Sequence, residues 1–163
     1  MEIHVRPSPC SVDTLTWLAA RPSVRVVHLQ DPVIEALGFD ARSGYAEAYW
    51  LGILGPSALW ALRRLSDGLA RHPEGLIVEL RHLARELGLG EGIGRHAPVV
   101  RAVARLVNFR MVEVRGDALA VRRSVPPLAG RHLARLPHHL AERHRAEMEA
   151  PSPCSTAGAP PRR

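Results

Sequence analysis

The sequence predicts a mainly helical fold with a small β-hairpin, an α+β architecture built around one core. Residues 56–72 and 98–109 carry apolar side chains at helical period, and two alternating segments follow on either side of Gly116 and Asp117. With 163 residues, the chain is long enough for one well-buried domain with appendages and too short for two large domains.

The N-terminal residues 1–23 contain three prolines and are expected to form a flexible segment. Inside it, the apolar patch at 15–20 predicts one or two helical turns capped by Asp13 or Thr14. Residues 24–29 are rich in valine and lie between prolines on both sides, which predicts a strand.

A short helix is predicted over residues 32–37. Asp31 can cap its first turn, proline suits its first position, and Gly38 can stop it. We expect residues 24–55 as a whole to form an extension that packs on the main core.

The segment 39–55 gathers four of the seven aromatic rings of the chain, Phe39, Tyr45, Tyr49 and Trp50. Two interpretations are open. The rings anchor the segment to the core, because aromatic side chains bury large areas, or they form a surface for a protein partner, where Tyr and Trp are favoured. We favour the core interpretation.

Residues 56–72 predict a strong helix, whose apolar stripe consists of Leu59, Leu62, Leu65 and Leu69. Residues 76–78 follow as a short strand. Residues 79–87 again place leucines at helical spacing, which predicts a second helix.

Glycine occupies every second position from 88 to 94. A dinucleotide-binding fingerprint requires a third glycine where this chain has Ile93 or Arg95, and it requires a preceding strand rather than a helix. The run is therefore predicted to be a helix-ending glycine followed by a turn, and not a phosphate cradle.

The helix predicted over residues 98–109 has two different faces. Arg101, Arg105 and Asn108 fall at i, i+4 and i+7 and share the polar face. The apolar face consists of Val100, Val103, Ala104 and Val107. Such a helix can dock on a core by one side and leave the other side free for a ligand.

Residues 111–115 and 118–123 alternate and predict a two-stranded ribbon with a type II′ turn, because glycine takes the first turn position. The residues expected to face inward are Val112, Val114, Leu119 and Val121. The arginines expected near the tip and the outer edge are Arg115, Arg122 and Arg123.

After the ribbon, residues 131–149 predict a short helix, a break at Pro137 and a final helix that covers the core or pairs two subunits. Residues 150–163 have the composition of a disordered tail.

The charge of the chain is concentrated. The net charge is +6, and all 22 basic residues are arginine. Between Arg95 and Arg135 there are nine arginines and two acids, a local net charge of +7. A genomic bias toward arginine does not by itself explain this concentration, which is the electrostatic pattern expected for a polyanionic partner.

No catalytic chemistry is indicated. A chain without lysine cannot build a P-loop or a Schiff-base site, and no nucleophile or paired-carboxylate motif stands out. We therefore predict that the protein is not an enzyme and has no cofactor. Four clustered histidines are interpreted as solvated helix residues rather than metal ligands, namely His132, His138, His139 and His144.

The cysteines, Cys10 and Cys154, are far apart and form no CxxC pair, which favours a reduced compartment. No run approaches the ~20 apolar residues needed to cross a bilayer. The N-terminus also lacks the apolar centre of a signal peptide. We expect a cytoplasmic protein that does not engage a membrane.

Residues 56–123 resemble the winged helix-turn-helix family of bacterial DNA-binding regulators in the order of their elements and the spacing of their apolar residues. A narrower resemblance, to small winged-helix proteins of GC-rich bacterial genomes, is carried by Asp31-Pro32-Val33, Asp40-Ala41-Arg42-Ser43, Tyr45, Glu47, Trp50 and Leu54-Gly55-Pro56-Ser57. This narrower resemblance bears on fold and boundaries and implies no mechanism. The expected division is a flexible segment 1–23, an extension 24–55, a winged helix-turn-helix domain 56–128, C-terminal helices 129–149 and a disordered tail 150–163.

The local charge and the polar helix face together predict a transcriptional regulator that binds double-stranded DNA. The residues expected to read or flank bases are Arg101, Arg105 and Asn108. Those expected to contact phosphates are Arg95, His96, Arg115, Arg122 and Arg123. A homodimer is a further expectation, since DNA-binding modules often pair about a two-fold axis.

The alternative is a winged-helix module that binds a protein partner and no DNA, because a fold does not dictate its function. That interpretation places the partner on the aromatic segment 39–55 or on the C-terminal helices. It predicts that Tyr45 and Trp50 are exposed and that the polar face of the helix at 98–109 is covered.

Overall fold

The computed structural model describes residues 13–149 of the chain. In this part the helices are α1 (Thr14–Ala19), α2 (Pro32–Leu37), α3 (Leu51–Leu54), α4 (Pro56–Arg71), α5 (Leu80–Glu86), α6 (Pro98–Asn108), α7 (Gly130–Leu133) and α8 (His138–Glu149). The strands are β1 (Ser23–His28), β2 (Phe39–Asp40), β3 (Leu76–Glu79), β4 (Val112–Arg115), β5 (Ala118–Val121) and β6 (Ser124–Val125). A π-helical turn, Ala46–Trp50, leads directly into α3.

The strands form one sheet of four and one of two. The larger sheet has the order β3-β1-β5-β4, in which β1 is antiparallel to β3 and parallel to β5, while β4 and β5 form an antiparallel hairpin. The short strands β2 and β6 pair separately. Helices dominate the described residues, in agreement with the predicted α+β class, but the predicted hairpin is one half of a four-stranded sheet.

Strand β1 holds the larger sheet together, which the sequence did not indicate. The valine-rich segment forms the predicted strand, and its alternating residues Val24 and Val26 are buried. The strand lies between β3 and β5 and does not pack on a finished domain from outside. Residues 24–55 were expected to form an extension that packs on the core, whereas β1 supplies the middle of the larger sheet itself.

Part of the N-terminal segment that was expected to be flexible forms a helix that packs on the core. The predicted helical turns form as α1, and the Asp13 carboxylate accepts a hydrogen bond from the backbone N–H of Leu15 as the cap. Trp17 and Leu18 of this helix are buried in the main core. Residues 1–12 and the predicted tail 150–163 lie outside the described part of the chain.

Local sequence signals place several elements where they were expected. Helix α2 spans the predicted residues, and its capping Asp31 accepts a hydrogen bond from the N–H of Ile34. The leucine stripe of α4 is buried as predicted. The hairpin turn has Gly116 at φ 62° and no positive φ at Asp117, in agreement with the type II′ turn.

The aromatic segment lies in the core. Tyr49 and Trp50 are almost fully buried, and Tyr45 is half-buried. The indole N–H of Trp50 donates to the carbonyl of Pro126, and the ring of Phe39 stacks on that of Tyr45. The core interpretation is confirmed for Tyr49 and Trp50, and the exposure of Trp50 that the alternative requires is not observed.

Helix α8 packs on the aromatic segment through His144. This side chain is buried, and its Nε2 lies 2.7 Å from the hydroxyl of Tyr45. The Tyr49 hydroxyl donates to Glu147 at 2.6 Å. The expectation that the clustered histidines are solvated is therefore wrong for His144, because its ring completes the contact between α8 and the core.

No helix within residues 13–149 is long and apolar enough to cross a membrane.

Candidate nucleic-acid interface

A groove of about 1560 Å³ runs along the exposed face of α6. One side is formed by the start of α1 and by the junction of α3 and α4, where Asp13 and Pro56 lie. The other side is β4, the edge strand of the larger sheet. The polar and charged residues on the helix and hairpin side are Arg101, Arg105, Asn108, Arg110, Glu113 and Arg115.

Helix α6 exposes a narrow polar strip because its other sides are packed. The helix lies against α1, α4, α5 and β4, and all of its valine, leucine and alanine side chains except the half-buried Val107 are buried. The predicted division into two faces is therefore observed, with Arg101, Arg105 and Asn108 exposed along one line. The apolar period of the sequence thus fixes which three polar residues face the groove.

The three arginines on the helix side of the groove differ in their contacts: Arg101 and Arg105 lie on this strip, and Arg110 directly follows the helix. Within residues 13–149, the guanidinium groups of Arg101 and Arg110 have no hydrogen-bond or ion-pair partner. Arg105 donates to the carbonyl of Ile53 at 2.8 Å and lies over the ring of Phe109. None of the three has an acidic partner in the described part of the chain, so their charge is uncompensated there.

The acidic residues of the groove are already paired. Glu113 accepts two hydrogen bonds, at 2.9 and 3.1 Å, from Arg115, which lies two residues further along the same strand. Asp13 accepts from Thr16 and Arg95, which together hold the pKa of its carboxyl below the ordinary value. The groove therefore presents an excess of positive charge to an incoming ligand.

The structure brings together four of the eight residues predicted to bind DNA. Arg101, Arg105, Asn108 and Arg115 all line the groove. His96 is exposed in the glycine-rich loop and does not line it. Arg95 donates to Asp13 and to the hydroxyl of Thr16, so it ties the loop to α1.

Arg122 and Arg123 lie at the base of the hairpin and not near its tip, contrary to prediction. The half-buried Arg122 pairs with Asp31 at 2.6 Å and donates to the carbonyl of Arg110 at 2.8 Å. Its hydrogen bond is the main reason that the pKa of Asp31 is lowered. The carbonyl of Arg123 accepts from the N–H of Ala41, beside the smaller sheet.

Arg110 is a groove residue that sequence reasoning missed. It lies between α6 and β4 and was assigned to neither the polar helix face nor the ribbon. The available signal was its place directly after the helix, where a cation near the helix end is favourable. Its backbone conformation, with φ at 57°, could not be predicted from an arginine.

No group of three or more His, Cys, Asp or Glu in residues 13–149 is placed to hold a metal ion. Comparisons of the chain with protein-family models, with curated proteins and with solved structures find no match.

Proposed function

We propose that the protein is a winged-helix transcriptional regulator that binds double-stranded DNA through the groove along α6. The observation that carries this proposal is a set of three exposed cations without acidic partners in the described part of the chain: Arg101 and Arg105 on the strip of α6, and Arg110 directly after it. A strip of this charge suits a polyanion, because phosphate contacts release bound counterions and dominate affinity for DNA.

The order of elements supports the same proposal. Helix α4, strand β3, helices α5 and α6, and the hairpin β4–β5 follow one another as in a winged helix, with α6 in the place of the recognition helix. The insertion of β1 between β3 and β5 departs from that plan. This departure affects the sheet behind α6 and leaves the strip on α6 exposed.

The proposed roles follow from the chemistry of the groove side chains. Arg101 has free donors for a phosphate or for the acceptor edge of guanine, and Asn108 can pair with the edge of adenine. Arg115 lies at the tip of the hairpin, where it can exchange Glu113 for a phosphate. Arg95 and Arg122 are held in ion pairs with Asp13 and Asp31, so we assign them to the fold.

Removal of one groove charge tests the proposal. The Arg101→Gln variant should bind a mixed-sequence DNA duplex about 10-fold more weakly, because one charge-assisted contact is lost. Its plot of log affinity against log salt should also be less steep by about one unit. Fluorescence anisotropy over a salt series measures both quantities. Arg101 has no partner in the described part of the chain, so its replacement leaves folded contacts intact.

Arg145→Gln is the matched control. Arg145 is exposed on α8, outside the groove, and it has no ion pair within the described residues. The Arg145→Gln variant should bind duplex DNA with a dissociation constant within about 2-fold of that of wild type, since an exposed charge far from the groove is largely screened. If Arg101→Gln and Arg145→Gln weaken DNA binding equally, the loss reflects only the net charge of the protein, and the assignment of the groove as the site is contradicted. A folded wild-type protein that does not bind duplex DNA at low salt would overturn DNA binding and favour the protein-interaction alternative.

A further inference from the structure

We propose that Arg110 is a phosphate-binding residue, positioned at the junction of α6 and β4 by a backbone conformation that favours glycine. This inference rests on the proposed function and deepens it, because it adds a contact that the helix pattern alone does not contain. It is drawn from three observations: the way α6 ends, the free side chain, and the place of that side chain in the groove.

Helix α6 ends in a Schellman motif. The N–H of Arg110 donates to the carbonyl of Val107, and the N–H of Met111 donates to the carbonyl of Leu106. The side chains of Met111 and Leu106 are both buried in the same core cluster, as expected for the apolar pair that accompanies this motif. The residue at the position of Arg110 must adopt the left-handed conformation, and here φ is 57°.

The same chain contains the motif with its usual residue. At the end of α5, Gly88 donates to the carbonyl of Arg85 and Leu89 donates to that of Ala84, with Gly88 at φ 66°. Arg110 is the only residue other than glycine with a positive φ in the described part of the chain. Glycine would meet the demands of the turn at Arg110 with less strain.

Contacts within the described protein do not explain an arginine at this position. Its carbonyl accepts a hydrogen bond from Arg122, but any residue could provide that carbonyl. Its guanidinium has no hydrogen-bond or ion-pair partner among residues 13–149. Strained positions of this kind are common at ligand sites, where the side chain serves binding at some expense of folding.

The place of the side chain identifies the ligand chemistry. Arg110 lines the same groove as Arg101 and Asn108, between the helix and the edge strand β4. A guanidinium presents several donors in a fixed plane and matches the oxygens of a phosphate. The turn therefore aims a cation at the gap between helix and hairpin, where the sugar-phosphate backbone of a bound duplex would pass.

Replacement of Arg110 by glycine distinguishes a role in DNA binding from a role in stability, because it should weaken DNA binding without lowering the unfolding temperature. Arg110→Gly should unfold at an equal or higher temperature than wild type, since strain is relieved. Its dissociation constant for a DNA duplex should rise about 5- to 10-fold, and the salt dependence should be less steep by about one unit. Arg110→Lys, which keeps the charge, should retain most of the affinity, and Arg145→Gln is the control for net charge.

The outcomes distinguish the role proposed for Arg110 from the proposed function of the whole protein. If wild type binds duplex DNA and Arg110→Gly binds it with the same affinity and salt dependence, the role of Arg110 is overturned and the proposed function stands. A lower unfolding temperature of Arg110→Gly would also overturn it, because the arginine side chain would then stabilise the fold. If wild type itself does not bind duplex DNA, both proposals fall together.

Discussion

Gly38 shows how one missing side chain sets the packing of two elements. It ends α2, and a Cβ at this position would collide with the carbonyl oxygens of Ile34 and Val125, the latter at 2.6 Å. Both obstacles are backbone atoms, which cannot rotate away as a side chain can. Absence of a Cβ is therefore required for α2 to lie against β6.

We expect Gly38→Ala to lower the free energy of unfolding by at least about 2 kcal/mol, because the backbone of α2 or β6 must shift. Chemical denaturation followed by circular dichroism measures this change.

Gly44→Ala is the matched control, since a Cβ there meets no atom within 4 Å and its φ is not positive. It should leave stability within about 0.5 kcal/mol of wild type. Equal stability of both variants would show that α2 and β6 separate without cost.

At the scale of elements, the docking of α8 depends on the charge state of one ring. The Tyr45 hydroxyl accepts a hydrogen bond from the N–H of Leu128, so its own proton is available for Nε2 of His144. Burial lowers the pKa of His144, while Glu147 opposes this shift and Arg145 adds to it. The folded protein therefore favours the neutral ring.

This preference predicts a loss of stability in acid. The contribution of neutral His144 is fully present above the ordinary histidine pKa of about 6.5. It is lost as the pH falls through the lowered pKa of the folded state. Between pH 7.5 and pH 5, wild type should therefore lose several degrees more in unfolding temperature than His144→Gln, whose amide oxygen can still accept from Tyr45.

His139→Gln is the control for this measurement, because His139 is exposed on the same helix. It should keep the pH dependence of wild type. If His144→Gln also keeps it, the acid sensitivity comes from other groups, of which His132 is one, since burial against Trp50 lowers its pKa as well.

Helices and strands could be predicted where the residues that define them are close in sequence. The contacts between these elements could not be predicted. Asp31, the proline after it and Gly38 define α2 within eight residues of sequence, and the structure agrees. Asp31 and Arg122 are far apart in sequence, so no local pattern could predict the ion pair between them. The candidate site follows the same rule. Helical spacing correctly predicted that Arg101, Arg105 and Asn108 share one face, whereas the ion pairs that keep Arg95 and Arg122 out of the groove join residues distant in sequence.

At the scale of the whole molecule, the predicted domain at residues 56–128 does not contain every strand of the sheet on which it is built, because β1 precedes it in the sequence. Its strands β3 and β5 are not neighbours, because β1 lies between them and hydrogen-bonds to both. The core likewise includes Trp17, Leu18 and Trp50 from the preceding residues. The unit that folds is therefore larger than the pattern of a winged helix suggests.

We expect a fragment of residues 56–128 to show no cooperative thermal transition, because it exposes the inner edges of β3 and β5 and the core surface that α1 covers. A fragment of residues 13–149 should melt cooperatively and serves as the reference. Circular dichroism and the rate of limited proteolysis distinguish the two. A cooperative melt of the shorter fragment would show that β1 is dispensable.

The position of β1 also has a consequence for the time course of biosynthesis. Arg25 pairs with Ala118, so the pairing of β1 with β5 requires a strand that leaves the ribosome roughly 90 residues after β1. At typical elongation rates this interval is about 5–20 s, and pairing over such a sequence separation is intrinsically slow. The sheet is complete only after β5 has been synthesised, and until then the valine-rich β1 lacks one of its two partner strands and is open to chaperones that bind nascent chains.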